Sequence, residues 1–169
     1  MTNEHDDDLE EDGATALPSA EAVLDEIERG MPLQPRRLHA LSEPGPDLLQ
    51  RILRLWPRLT PERRRDVLAA FQHEAGEHSI LDFHRIYLTA LRDPDTATRI
   101  LAVRGLLEED RPEMMRILLP MLAEDGSTDV RVEVARTLGH HVLAIEFGLM
   151  AEDDAEGLIA GLRDVIEDV

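Results

Sequence analysis

Residues 87–148 decide the fold, and they read YLTALRDPDTATRILAVRGLLEEDRPEMMRILLPMLAEDGSTDVRVEVARTLGHHVLAIEFG. This stretch is typical of a helix, a turn that contains aspartate, a second helix and an acidic link, followed by the same cycle again. In each second helix, apolar residues recur at intervals of three and four, which indicates one buried helical face. The stretch therefore predicts paired helices, but it contains no motif for a reaction.

The two cycles align on their turns and on the helices that follow. Residues 91–99 lie over residues 122–131, with one extra residue in the second turn. The apolar positions after each turn then match, and they are Ala102, Val103 and Leu106 in the first cycle and Val134, Ala135 and Leu138 in the second. Asp93-Pro94 and Asp125-Gly126 end the first helix of each pair, because proline restricts the residue before it and glycine tolerates a positive φ.

The alignment extends in both directions along the chain. Upstream, Thr60 caps a helix whose arginine at position 64 is equivalent to Arg99 and Arg131. Downstream, residues 158–164 repeat a first helix and its turn. An internal period of 32 to 35 residues, carried by helix pairs, is the sequence signature of a helical solenoid.

The repeat resembles a known family. The turn D-x-x-x-D-V-R at 125–131, followed by V-x-V-A-R-T-L-G at 132–139, resembles a HEAT repeat, and DPDTATRILAVRGLL at 93–107 resembles its neighbour. With LHALS at 38–42, LWPRLTPERRRDVL at 55–68 and LDF at 81–83, the chain is similar to uncharacterised bacterial HEAT-repeat proteins. The resemblance implies a fold and a habit of binding proteins. It also implies a ladder of turn-to-helix hydrogen bonds between repeats, at Asp93 with Arg99 and at Asp129 with Arg131.

We therefore predict an all-α protein, a right-handed α-solenoid of about three and a half HEAT-like helix pairs. A disordered acidic tail at 1–17 comes first, and a short capping helix and a proline-containing linker follow at 18–45. The HEAT-repeat domain then occupies 46–169, with pairs at about 46–75, 80–108 and 112–146 and an incomplete pair at 152–169. In the capping helix, Ser19 precedes an apolar stripe of Val23, Leu24 and Ile27.

Charge is distributed unevenly along the chain. The net charge is −18, made up of −10 in residues 1–30, +5 in residues 31–65 and −13 in residues 66–169. Nucleic-acid binding usually needs a basic surface across the whole domain, so it is not the expected function, and the alternative is nucleic-acid or phosphate binding through the arginine-rich first repeat alone. The acidic tail is predicted to be a solubilising segment, with an intramolecular cover for the basic segment as the alternative.

Several kinds of chemistry are absent from the composition. There is no cysteine and no lysine, which removes thiolate, disulfide, Schiff-base and P-loop lysine chemistry. No nucleophile elbow or glycine-rich phosphate loop is present. Without a secretory signal at the N-terminus or an apolar run of membrane-spanning length, we expect a cytoplasmic protein that does not enter the membrane and carries no cofactor.

A cluster of arginines around the first helix pair is the candidate partner-binding patch. The arginine patch comprises Arg51, Arg54, Arg58, Arg63, Arg64 and Arg65. These residues lie off the predicted apolar face of Leu49, Ile52, Leu53 and Trp56. They are predicted either to pair with nearby acids or to bind an acidic peptide or a phosphate in bidentate fashion.

The histidines do not match a metal motif. A zinc-protease helix needs two histidines four residues apart with a glutamate between them, whereas Glu77 stands four residues after His73. A bent helix end could bring His73, His78 and His84 together, and zinc titration is the check on this. His140 and His141 point about 100° apart on a helix, which predicts one packed and one exposed side chain.

The sequence leaves two function classes open. The first is a non-catalytic scaffold or adaptor that binds another protein, with an acidic peptide as the narrower alternative. The second, taken from the resemblance, is a HEAT-like enzyme or enzyme accessory similar to a bilin lyase or a DNA glycosylase. The repeat register also expects an arginine after Val169. The predicted consequence is either that the sequence is part of a longer protein or that its last helix frays or self-associates.

Overall fold

The computed structural model of this chain describes residues 18–107, 112–146, 156–157 and 159–163. Regular secondary structure in these residues is helical throughout, with no strand, so the all-α prediction is confirmed. The predicted acidic tail lies outside the described residues. Of the predicted incomplete pair at 152–169, only residues 156–157 and 159–163 are described, and they are helical.

The first helix follows the local sequence signals closely. Helix α1 spans Ala20–Glu28, and the Ser19 hydroxyl accepts a hydrogen bond from the backbone N–H of Ala22 at 3.2 Å. The predicted stripe of Val23, Leu24 and Ile27 is buried, which confirms both the cap and the face. Gly30 ends the segment with a φ of 71°, a left-handed conformation that glycine adopts without strain.

The remaining helices alternate with short turns. Their bounds are α2 Pro35–Leu38, α3 Pro46–Leu55, α4 Pro61–Glu77, α5 His84–Ala90, α6 Thr96–Gly105, α7 Pro112–Glu124 and α8 Thr128–Glu146. Single 3₁₀ turns cover His39–Leu41 and Trp56–Arg58. Proline at the first position of α2, α3, α4 and α7 suits a helix start, where the missing N–H has no partner to lose.

Alternate helices along the chain pack on one another. The second helices form a continuous series, because α4 contacts α6 and α6 contacts α8. Helix α3 contacts α5, and among helices adjacent in sequence α5 contacts α6 and α7 contacts α8. Helix α1 packs on α3 and on the 3₁₀ turn at His39–Leu41, while α2 packs on α4. The capping segment thus covers the start of the series.

The core runs through these contacts, with two departures from the predicted faces. Leu53 is 41 % exposed, and the neighbouring Leu55 is buried in its place. The cause is geometric, since α3 packs on both α1 and α5 and turns Ile52, Leu55 and Trp56 inward. Ala135, which aligns with the buried Val103, is exposed on α8. Periodicity locates an apolar face but does not say which of its edges a neighbour covers.

The described aromatic residues belong to the core, and the paired histidines behave as predicted. Phe83, Tyr87 and Trp56 are buried, and Phe83 stacks on Phe71 with ring centroids 4.4 Å apart. His141 is fully buried, and its Nδ1 lies 2.8 Å from the carbonyl oxygen of Thr137, while His140 is exposed. None of the helices in the described part of the chain combines the length and the apolarity needed to cross a membrane.

Candidate functional site

A groove of about 880 Å³ crosses helices α3, α5 and α7. It begins at Leu53 on α3, passes the end of α5 and extends along one face of α7. Its lining residues are Leu53, Leu88, Thr89, Leu91, Arg92, Asp93, Arg99, Arg116, Ile117, Pro120, Met121, Glu124, Asp125 and Gly126. We call this surface the groove.

The groove has an apolar floor that is open to solvent. Leu53 and Ile117 are 41 % and 37 % exposed, whereas the other large apolar side chains described on these two helices are buried or half-buried. Leu88 and Met121 are half-buried between them. Pro120 lies within α7 and has no N–H to donate to the carbonyl of Arg116 one turn earlier. The groove therefore combines apolar contact area with a backbone acceptor that the helix itself does not satisfy.

Two basic side chains border this floor without an acidic partner among the described residues. Arg92 follows α5 and Arg116 lies on α7, and both are exposed. Arg99 lies at the other end of the groove, but it is held by Asp125, and Glu124 adds one negative charge nearby. A guanidinium that no described acid holds can bind a carboxylate through two parallel hydrogen bonds.

Most of the arginine patch, by contrast, is occupied within the chain. Arg51 lies 3.8 Å from a carboxylate oxygen of Asp25, and Arg58 pairs with Glu28. The Arg63 side chain donates to the carbonyls of Ile27 and Met31, Arg64 is buried against Asp93, and Arg65 contacts Glu62 and Asp95. Arg54 is exposed and has no acidic partner among the residues the structure describes. The first two contacts attach α1 to α3 and to the turn after it, and those of Arg63, Arg64 and Arg65 attach the end of α1 and the turn before α6 to the start of α4.

Asp93 is the buried centre of one contact between separate helices and turns. Its Oδ2 accepts a hydrogen bond from Trp56 Nε1 at 2.7 Å and lies 3.1 Å from Arg64 Nε. The Arg64 N–H is not aligned with that oxygen, so the contact is an ion pair without a hydrogen bond. The other carboxylate oxygen of Asp93, Oδ1, accepts a hydrogen bond from the backbone N–H of Asp95 at 2.9 Å. One carboxylate thereby joins α4, the turn after α3 and the turn before α6.

A second arginine and aspartate, Arg99 and Asp125, form a similar contact further along the chain. Arg99 Nε and Nη2 each donate to the Asp125 carboxylate at 2.9 Å, and Nη1 donates to the carbonyl of Asp93 at 2.8 Å. Arg131 likewise donates to the carbonyl of Asp125 at 2.7 Å. Asp125 is therefore the residue equivalent to Asp93. Asp129, which the resemblance placed in the ladder, is exposed in the first turn of α8.

The electrostatics of these carboxylates follow from their donors. The hydrogen bonds from Arg99 hold the pKa of Asp125 below its ordinary value, with further help from the backbone N–H of Ser127. The Arg104 guanidinium, 2.9 Å from Glu133, lowers the pKa of that carboxyl in the same way, and Arg136 adds to the effect. Both acids are thus held in their charged form within helix-to-helix contacts.

His73, His78 and His84, which a bent helix end could have brought together, do not form a group among the described residues. His73 is exposed on α4, and Nδ1 of His84 lies 2.6 Å from the Asp82 carboxylate beyond the end of that helix. His78 instead lies beside His39 and Glu74. Sequence reasoning missed this neighbour because His39 is 35 residues away from Glu74. Sequence reasoning also missed the groove. The one early signal for it was the run at 116–121, in which an arginine precedes five apolar residues.

Comparison with protein-family models, with curated proteins and with solved structures finds no match to this chain.

Proposed function

We propose that this chain is a HEAT-like α-solenoid and that it serves as a non-catalytic scaffold for another protein. The observation that supports the repeat architecture is the recurrence of one contact. An arginine near the start of a second helix binds a turn aspartate of the following pair, at Arg64 with Asp93 and at Arg99 with Asp125. The consecutive packing of α4, α6 and α8 agrees with stacked pairs.

The groove is the proposed partner surface, and its occupant is an acidic amphipathic segment of another protein. Apolar side chains of that segment would cover Leu53 and Ile117, and its carboxylates would pair with Arg92 and Arg116. Exposed apolar residues bordered by unpaired charge are typical of protein interaction sites. We prefer the groove to the arginine patch because most patch residues already have partners within the chain.

The remaining function classes have less support. The chain carries a net charge of −18, and the basic side chains of the patch largely contact its own acids and carbonyls, which disfavours phosphate neutralisation. A pigment-binding or base-binding enzyme would use aromatic side chains for stacking, whereas Trp56, Tyr87, Phe71 and Phe83 are core residues. A scaffold needs neither a free basic surface for phosphates nor exposed aromatic side chains, so the described residues are compatible with that function.

The test is selection of peptides from a random library displayed on phage, with the full chain as bait. The groove variant carries Arg92→Gln, Arg116→Gln and Ile117→Ser, and the control carries Arg51→Gln, Arg54→Gln and Arg58→Gln in the arginine patch. All of these side chains are at least partly exposed, so both variants should fold, and circular dichroism would verify this.

We expect enriched peptides that place leucine or isoleucine beside aspartate or glutamate. They should bind the wild-type chain and the patch variant within about threefold of each other, and the groove variant at least tenfold more weakly, a difference of about 1.4 kcal/mol. Peptides that bind the groove variant as well as wild type would overturn the groove as the site. Retention of pigment or salt-sensitive DNA by the chain would overturn the scaffold function itself.

A further inference from the structure

Three potential metal ligands meet where the capping segment touches the end of α4. His39 Nε2 lies 2.7 Å from Glu74 Oε2, and the rings of His39 and His78 meet edge to face with centroids 5.2 Å apart. One nitrogen or oxygen from each of the three residues lies within 4.8 Å of the other two. We call this group the His39 cluster.

Secondary structure on both sides fixes the His39 cluster. Glu74 and His78 are four residues apart, so they lie on the same face at the end of α4. His78 is the residue after the helix, and its backbone φ of −137° and ψ of 88° show that the chain turns away there. His39 begins the 3₁₀ turn at His39–Leu41, whose Leu41 is buried in the core. The ligands therefore come from two anchored elements.

We propose that the His39 cluster is a binding site for a zinc ion, with His39, Glu74 and His78 as ligands and water in the fourth position. Two imidazole nitrogens and one carboxylate are a recognised zinc ligand set when one coordination position stays open. Ligand atoms on tetrahedral zinc lie about 3.4 Å apart, which requires side-chain movements of roughly 1 Å from the present separations.

The burial pattern agrees with this assignment. Glu74 is a carboxylate 4 % exposed, and a buried carboxylate needs a cation or hydrogen-bond donors to offset its desolvation. His39 provides one such contact from one side. His78 is exposed, so an ion can reach the cluster from solvent and retain a water. Zinc would then tie residues 35–41 to the end of α4, across a junction that Ser42 and Asp82 already bridge by a 2.9 Å hydrogen bond.

The zincin and inverted zincin patterns do not describe this site. Those patterns require two histidines on one helix, whereas here the helix supplies Glu74 and His78 and the second histidine comes from a distant turn. The site does not depend on the scaffold function, because the groove lies along α3, α5 and α7 and shares no residue with the cluster.

The test is titration of the metal-free full chain with ZnCl₂ at pH 7.5 by isothermal calorimetry. The variants are His39→Gln, Glu74→Gln and His78→Gln, and the matched control is His73→Gln, an exposed histidine on the same helix and outside the cluster. Because His78 is exposed, His78→Gln keeps the test decisive even if the buried Glu74→Gln variant does not fold. Absorption of bound Co²⁺ reports whether the site is tetrahedral.

We expect one zinc ion per chain with a micromolar or lower Kd, weakened at least tenfold in the three cluster variants and unchanged in His73→Gln. Zinc at 100 times its Kd should favour the folded state by about a hundredfold in the wild-type equilibrium and not in His78→Gln. No binding at 100 µM zinc, or binding that His39→Gln and His78→Gln leave intact, would overturn the proposal.

Discussion

Arg99 joins α6 to the turn before α8 by donating two hydrogen bonds of 2.9 Å to Asp125, 26 residues further along the chain. Its third donor, Nη1, binds the carbonyl of Asp93 in the turn before its own helix. Both side chains are largely buried, at 14 % and 9 % exposed. One guanidinium thus fixes the distance between successive turns, which gives the contact a structural role that can be measured.

Removing Arg99 should destabilise the chain substantially. We expect Arg99→Met to lower the free energy of unfolding by about 2–4 kcal/mol, because Asp125 loses both charged donors while remaining largely buried. The measurement is urea unfolding at pH 7, with Arg54→Met as the control because Arg54 is exposed and has no acidic partner among the described residues. A loss as small as that of Arg54→Met would contradict a structural role for the pair.

Asp93 should be the most sensitive carboxylate of the ladder. Asp93→Ala leaves the buried Arg64 charge and the Trp56 N–H without their acceptor, so we expect a loss of about 3–5 kcal/mol in unfolding free energy. Asp129→Ala is the matched control, since Asp129 is exposed, and its cost should stay under about 1 kcal/mol. If the two substitutions lowered the unfolding free energy equally, the contacts of Asp93 would not be the ones that stabilise the fold.

Acid should weaken the contact between Arg99 and Asp125. The folded pKa of Asp125 is lowered by the hydrogen bonds from Arg99, so the folded state binds a proton at this site less readily than the unfolded state. Its contribution is complete above the unfolded pKa of about 4 and is lost as the pH falls from there through the folded pKa. Unfolding free energies from pH 7 to pH 2.5 should therefore fall less steeply below pH 4 in Asp125→Asn than in wild type. Parallel curves would argue against this linkage.

Gly105 should tolerate no side chain. A Cβ built there would lie 2.5 Å from the ring of Tyr87, which is itself only 2 % exposed and cannot move aside freely. We expect Gly105→Ala to cost about 1–3 kcal/mol by overpacking. Gly139→Ala, also within a helix but with open space around the added Cβ, should be neutral or stabilising by up to about 1 kcal/mol. Thermal unfolding of the two variants under the same conditions would measure this difference in stability.

The hydroxyl of Tyr87 should be dispensable. It is buried without a hydrogen-bond partner, and burial, followed by the nearby charge of Asp82, raises its pKa well above the ordinary range. Tyr87→Phe removes an unsatisfied polar group and keeps the ring, so unfolding free energy should stay the same or rise by up to about 1 kcal/mol. A loss of more than 1 kcal/mol in urea unfolding would reveal a partner for this hydroxyl.

The sequence by itself determined the helices, their caps and most of their buried faces. Ser19 and Thr60 accept from the first-turn N–H groups as their positions predict, and the apolar spacing after Arg64 and Arg99 marks residues that are buried. These features are local, since a cap or a helical face depends on residues within one or two turns of each other. They could therefore be inferred without knowing where any other helix lies.

Only the tertiary structure decided which distant side chains meet. The choice of Asp125 over Asp129, the exposure of Leu53 in the groove and the approach of His39 to Glu74 all depend on how separate helices are placed. Helical periodicity specifies a direction around one axis, but it contains no information on the offset between two axes. That offset is set by packing across the whole core, and in this protein it selects both the ladder and the candidate sites.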